Sequence, residues 1–217
     1  MIYLAEFLGS FFLVATVIGS GIMGDRLSDD DAVSLLGNTI ATGAILFVLI
    51  KMFGRVSGAH FNPAVSILFL IRKEIECKKF MFYVLCQFAG GIFAVFITHY
   101  IFCSQSDPLS ILEISKHPPR SGHFGLLVSE IIATGGLLLT ILFVRRNDEG
   151  SVATAVALFI TAGYWFTSST SFANPMVTIS RIFTDTFTGI APSSVPYFLT
   201  GQLIGILIVY IIAKKIK

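Results

Sequence analysis

Hydrophobic positions in this chain come in long unbroken blocks, without the one-sided periodicity of a soluble helix or strand. Six blocks are long enough to cross a bilayer, at about 2–23, 34–53, 80–103, 124–144, 152–168 and 195–213. Two shorter stretches follow the second and fifth blocks: Ser57-Gly58-Ala59-His60-Phe61-Asn62-Pro63-Ala64 and Ser171-Phe172-Ala173-Asn174-Pro175-Met176. Asn suits a helix N-cap. Pro suits the first helical position, where its missing N–H would have been unpaired anyway. Each stretch therefore predicts a helix that begins abruptly. After Asn62 the apolar run reaches only Ile71 before Arg72-Lys73. That is about ten residues or ~15 Å of helix, half of a bilayer core that is roughly 30 Å thick. Two such half-helices meeting end to end would aim two positive dipole ends at one spot in mid-membrane. Non-helical backbone at that depth is tolerated where it is buried in protein or lines a water-filled cavity. The pattern predicts a pore.

The order of marker residues repeats. Glu6 in the first block is echoed by Glu130 in the fourth, and Asn62-Pro63 by Asn174-Pro175. Gln87-x-x-Gly90 in the third block is echoed by Gln202-x-x-Gly205 in the sixth. Each half holds three spans, an odd number, so the second half enters from the opposite side. This predicts an inverted repeat, about 1–104 and 122–217, in one all-α channel domain (1–217) with its site at the repeat interface.

Composition supports a membrane protein: 54% of residues are hydrophobic and only 13% charged. A net charge of +2 gives no sign of nucleic acid as a partner, and the placement of charge matters more than its sum. With both termini in the cytoplasm, eleven Lys and Arg fall inside and four (Arg26, Lys116, Arg120, Arg181) outside, as the positive-inside rule expects. The first block has no basic residue before it and holds Glu6, so it reads as a retained span and not a signal peptide. Asp29-Asp30-Asp31 is then a solvated outer loop. The segment 104–122, with Pro108, Pro118 and Pro119, is the one long connection, arching over the outer face. Cys77, Cys86 and Cys103 have no metal-ligand spacing, so neither a disulfide nor a metal is expected, and no cofactor.

The paired Asn-Pro boxes, the Ala-Glu-Phe-Leu-Gly opening and Ser-Gly-Ala-His-Phe-Asn-Pro-Ala-Val resemble the aquaporin (major intrinsic protein) family over essentially the whole chain. The resemblance implies six spanning helices plus two half-helices, a homotetramer, and one pore per subunit for water or small uncharged solutes. Short loops and no evident targeting segment make the cell (inner) membrane the expected location. It makes Asn62, Pro63, Ala64, Asn174, Pro175 and Met176 the pore boxes, with both Asn amides donating to a permeating oxygen. Glu6 and Glu130, carboxylates inside spans, are open to two readings. One is a proton relay, and the other is acceptance of otherwise orphaned loop N–H groups, which the resemblance implies. His60 would edge the pore on the cytoplasmic side or serve as an ordinary structural histidine, whereas His99, His117 and His123 form no pattern.

Departures from the family pattern are informative. The second box has Met176 for Ala, and the next position, where the family usually has a pore arginine, is Val177. By spacing from the boxes, the outer filter would consist of Thr42, Ala162 (or its neighbour Gly163), Ser171 and Val177, none of them aromatic or charged. Arg181 is four residues beyond Val177, and either brings charge to the outer vestibule or pairs with Asp185 on the surface. The Asp that glycerol-type members place after the second box is also missing, with Thr178 and Ile182 there instead. The pattern is most similar to arginine-less bacterial members linked with metalloid permeation. The leading expectation is thus a passive, aquaglyceroporin-like channel for small neutral solutes (glycerol-like polyols or metalloid hydroxides such as arsenite) and water. A water-selective aquaporin and a coupled secondary transporter are the alternatives. An enzyme is not expected, since no nucleophile–base or metal constellation occurs.

Overall fold

The computed structural model describes residues 1–102, 113–116 and 121–215. Most of the expected 104–122 connection, with Cys103, His117, Arg120 and Lys217, lies outside these residues. The elements are α1 (Ile2–Leu27), α2 (Asp31–Ser57), α3 (Pro63–Ile71), α4 (Cys77–Phe102), α5 (His123–Asn147), α6 (Val152–Phe166), α7 (Pro175–Ser180) and α8 (Val195–Lys215), with short 3₁₀ turns at Glu149–Ser151, Arg181–Phe183 and Pro192–Ser194.

Local chemistry sets the ends. Asp30 accepts the Ala32 N–H (2.8 Å) as the N-cap of α2, so one residue of the acidic run starts a helix. Gly58 ends α2 with φ +94°, a left-handed conformation that a residue without Cβ adopts readily. Among the described residues, five helices are long and apolar enough to cross a membrane: α1, α2, α4, α5, and α8 with its preceding turn. The expected span 152–168 is shorter than its sequence block. α6 has 15 residues, or ~22 Å, and stops at Thr167, whose backbone N–H (3.2 Å) and hydroxyl (2.8 Å) both donate to the Gly163 carbonyl. The chain then turns back into the second re-entrant loop.

In each half, a glycine sets the central helix crossing. A Cβ on Gly90 of α4 would come within 2.3 Å of the Phe7 carbonyl oxygen of α1, and one on Gly205 of α8 within 3.0 Å of that of Ile131 in α5. Small residues let apolar helices approach this closely in lipid, where no hydrophobic drive pushes them together. α2 packs on α6 and joins the halves. Large apolar side chains such as Phe47, Leu85, Leu158, Trp165 and Leu207 point outward. On a soluble protein this would be an aggregation hazard, whereas on a membrane protein it is the lipid face.

Candidate pore

Both loops leading to a half-helix are wound around one buried carboxylate. In the first, Ala59 (φ +51°) and Phe61 (φ +46°) are left-handed. In the second, Thr170 (+56°), Ser171 (+55°) and Ala173 (+47°) are. Left-handed backbone costs an L-residue roughly 1–2 kcal/mol. Here it turns successive N–H groups toward a shared acceptor. Glu6 Oε1 accepts the Ser57 hydroxyl (2.6 Å) and the His60 N–H (3.0 Å), and Oε2 accepts the Phe61 N–H (2.7 Å) and the Gln87 amide (2.8 Å). Glu130 Oε1 accepts the Ser169 hydroxyl (2.6 Å) and the Phe172 N–H (3.0 Å), and Oε2 accepts the Ala173 N–H (2.9 Å) and the Gln202 amide (2.6 Å). Each glutamine also donates into its half-helix, Gln87 to Ser66 Oγ (3.1 Å) and Gln202 to Thr178 Oγ1 (2.9 Å). The two glutamates and two glutamines are fully buried. The Glu and Gln markers of the sequence repeat are therefore one device, built twice.

The boxes meet. Asn62 caps α3 through Oδ1, which accepts the Ala64 N–H (2.8 Å). Asn174 Oδ1 accepts the Met176 (3.0 Å) and Val177 (3.4 Å) N–H groups. Their amide nitrogens cross over: Asn62 Nδ2 donates to the Ala173 carbonyl (2.7 Å), and Asn174 Nδ2 to the Phe61 carbonyl (2.9 Å). An amide nitrogen has two hydrogens, so each asparagine ties the opposite loop and keeps a second N–H directed elsewhere.

A single cavity of about 630 Å³ contains both asparagines in its wall. One end is lined by Lys51, Arg55, Arg145 and Glu149, the middle by His60, Asn62, Val65 and Asn174, and the other end by Thr42, Ser171, Phe172, Val177 and Arg181. Val65 and Val177 are third after their respective Asn, so each half-helix turns a valine to the cavity. His60 is buried, with Nδ1 3.0 Å from Ser66 Oγ and its ring 4.7 Å from that of Phe69.

Two expectations for the Arg181 end need correcting. Ala162 is exposed and does not line the cavity, while Gly163 is buried, and a Cβ on it would fall 2.4 Å from Ser171 Oγ. Neither residue is in the cavity wall, and Gly163 packs behind Ser171, which is. Arg181 is 4% exposed, so it does not form a surface pair. Its Nε donates to the Thr188 carbonyl, and its guanidinium carbon lies 3.7 Å from the centre of the Phe172 ring. Asp185 instead accepts the Lys116 N–H (2.8 Å). Sequence reasoning also missed Tyr164, a buried cavity residue whose hydroxyl is 3.0 Å from Thr42 Oγ1. This lining therefore includes an aromatic residue. Its position one residue from Gly163 was the available signal, but the apolar run Trp165-Phe166 beside it hid the difference between a pore face and a lipid face. Met176 is fully buried beside Gly91, on which a Cβ would meet its sulfur at 2.3 Å.

Half-helices meeting head to head around a continuous cavity, inside a shell of apolar helices, define a membrane channel. The chain belongs to the major intrinsic protein family, whose match spans residues 2–161. It is a multi-pass membrane protein and a passive channel, not an enzyme. Over 202 residues it is 46% identical to the aquaglyceroporin AqpS of Rhizobium meliloti (strain 1021), covering 93% of this chain and 83% of that one. It is 33% identical over 165 residues to aquaporin NIP2-1 of Zea mays, covering 76% of this chain and 52% of the relative. The X-ray structure of the aquaglyceroporin from Plasmodium falciparum superposes with a TM-score of 0.75 at 26% identity, over 96% of this chain and 93% of that one.

Proposed function

We propose that this channel carries small neutral polyols and trihydroxide-type metalloid species, with water as a shared cargo. The observation that carries this reading is Val177. The filter position next to the second box has a buried valine that lines the cavity, where an arginine would narrow the passage. Thr42 and Ser171, both small, line the same cavity, with the Tyr164 hydroxyl 3.0 Å from Thr42 Oγ1. The second N–H of Asn62 and of Asn174 donates to the passing solute oxygen. Glu6 and Glu130 hold the loops and do not relay protons, and His60 edges the path at the Arg145 end. The aquaglyceroporin names of the Rhizobium and Plasmodium proteins support a glycerol-sized solute. Both termini face the cytoplasm of an inner membrane, which puts Lys51, Arg55, Arg72 and Arg145 inside and Arg181 outside. Four copies of the domain form a homotetramer with one pore each.

Val177→Arg tests the filter. A guanidinium adds length and five donors, so glycerol entry into reconstituted vesicles should fall about tenfold or more, equivalent to ~1.4 kcal/mol of barrier. Water flux should fall less, with protein yield unchanged, so the water-to-glycerol ratio rises. Stopped-flow swelling at matched protein density reads both. An arginine variant that conducts glycerol as well as the parent would remove Val177 from the filter.

A further inference from the structure

A threonine within a helix can close its hydroxyl onto the carbonyl one turn back. Thr39 does so to Leu35 (2.7 Å), Thr140 to Gly136 (2.8 Å) and Thr161 to Ala157 (2.8 Å). Thr42, one turn past Thr39 on α2, does not close onto Asn38. Among the described residues its hydroxyl is bonded only to that of Tyr164 on α6, at 3.0 Å.

The two residues stand at the ends of apolar stripes. α6 turns Val152, Val156, Ile160 and Tyr164 to the cavity at every fourth position, and α2 turns Ile50, Leu46 and Thr42. Of the cavity residues on these two helices, Thr42 and Tyr164 are the ones that bear hydroxyls. Both are buried. The helices touch at this level, since a Cβ on Gly43 would come within 2.2 Å of Thr161 Oγ1. That contact fixes the separation across which Thr42 and Tyr164 meet.

A hydroxyl has one hydrogen and two lone pairs. Whichever of the two residues donates, their bond takes only one of these from Thr42. The remainder is left for a partner in the cavity. A Thr42 hydroxyl closed onto the Asn38 carbonyl would instead be turned to its own backbone.

We propose that Tyr164 is a specificity-determining residue that acts by positioning Thr42. Its phenol holds the Thr42 hydroxyl off the helix backbone and presents it to the lumen, where it bonds a hydroxyl of a passing polyol. A polyol leaves water behind when it enters a wall of Leu46 and Ile160, and this bond replaces part of what is lost. Solutes with more hydroxyls are therefore favoured over solutes of the same size with fewer. This rests on the neutral-solute reading above and states what such a channel prefers.

The test uses the full chain in vesicles. Uptake of glycerol and of propylene glycol is measured on the same preparation and corrected for empty vesicles. The two solutes are close in size and differ by one hydroxyl. In Tyr164→Phe the Thr42 hydroxyl turns back to the Asn38 carbonyl. The ratio of glycerol to propylene glycol uptake should then fall about three- to tenfold, the worth of one hydrogen bond. Thr42→Val removes the same hydroxyl and should lower the ratio equally. The double variant should lower it no further, because both changes remove one station. Thr42→Ser keeps a hydroxyl and should keep the parent's ratio. Whichever of the two single losses accumulates as folded protein carries the test. If the pair only tied α2 to α6, its loss would lower yield or thermal stability and leave the ratio unchanged. That result overturns the proposal and leaves the channel reading standing. A parent protein that conducts no glycerol overturns the neutral-solute reading itself.

Discussion

At position 61 the first loop carries a phenylalanine whose ring fills the space a Cβ on Gly9 would need, 2.0 Å away. At the matching places the second half has Ala173 and Ala133, both fully buried in one cluster. The exchange recurs beyond the boxes. Ala64 packs in a cluster with Ile206 of α8, and in the other half Met176 sits against Gly91 of α4. In each pair one half is large on the loop or half-helix and small on the spanning helix, and the other half is more even or reversed. The hydrogen bonds are not exchanged. Glu6 and Glu130 take the same four kinds of donor in the same order. Packing therefore drifted as compensated pairs, because volume can be traded across a contact. The carboxylate scheme did not drift, because any lost partner strands a buried donor. Met176 in place of the family's alanine belongs to the first kind of change.

The largest expected effect follows from the unchanged part. Glu130→Ala leaves the Ser169 hydroxyl, the Phe172 and Ala173 N–H groups and the Gln202 amide without their acceptor, at roughly 1–3 kcal/mol each. Native stabilities are about 5–15 kcal/mol, so folded protein should be largely lost from detergent extracts run on size-exclusion. Glu6→Ala should do less damage. In the first loop the Tyr83 hydroxyl also donates to the Ser57 carbonyl (2.5 Å), whereas Phe198, at the matching place on α8, has no hydroxyl. Glutamine should partly rescue either site. Equal yields for the two alanine variants would mean that the loops do not differ in support. A well-folded Glu6→Gln channel whose flux loses its pH dependence would point to a proton relay.

Next comes the exchanged packing. Gly9→Ala forces a methyl into the buried Phe61 ring and should destabilise by about 1–3 kcal/mol, the usual range for overpacking. The reverse change in the other half, Ala133→Gly, should cost only about 1 kcal/mol, chiefly from helix propensity. Adding Phe61→Ala to Gly9→Ala copies the second half. The double variant should then be less damaged than the sum of the two single changes, a coupling that thermal unfolding in one detergent can measure. Strict additivity would show that these residues do not compete for the same space.

Much of this was legible before any coordinates. Glu6, Glu130, Gln87, Gln202 and the two Asn-Pro boxes stand out because polar residues in apolar blocks are rare and need partners. Spacing failed where it was counted through irregular backbone. The stretch 167–173 contains three left-handed residues, so counting back from Asn174 to α6 left Ala162 and Gly163 both open, and the cavity residue there is Tyr164. One residue on a helix is a rotation of about 100°, enough to exchange exposed Ala162 for buried Gly163, which packs on Ser171. Tyr164 was missed for a related reason, since an aromatic within an apolar run has the same signature toward lipid as toward a lumen. Of the two readings for Arg181, the surface pair with Asp185 fails: α7 ends at Ser180, and Arg181, in the tighter turn that follows, is buried in the cavity wall over Phe172.

The smallest expected effect separates the two faces by pH. Glu74, just beyond α3, bonds Arg72 at 2.6 Å and Arg145 at 2.5 Å, and the matching position in the second half is Thr186, which does not titrate. Partial burial disfavours the charged carboxylate, but the hydrogen bonds and charges of Arg145 and Arg72 outweigh it and hold the Glu74 pKa below its ordinary value. A carboxyl whose pKa is lowered by folding adds stability that is complete above its unfolded pKa. That stability is lost as pH falls through the folded value. The pair is partly exposed, so solvent screening limits it to about 1 kcal/mol or less. Comparing the parent with Glu74→Gln in low-salt detergent, the parent should unfold slightly later at neutral pH, and the gap should close in acid. The gap should also shrink in high salt, because screening acts on a half-exposed pair within a Debye length of about 10 Å at 0.1 M. Since Arg145 lines the mouth of the cavity and rests on Phe69, releasing it should also alter glycerol flux modestly at low pH in the parent and not in the variant. If the gap were unchanged by acid and salt, Glu74 would be acting through packing alone, and the two faces would not differ in how they respond to pH.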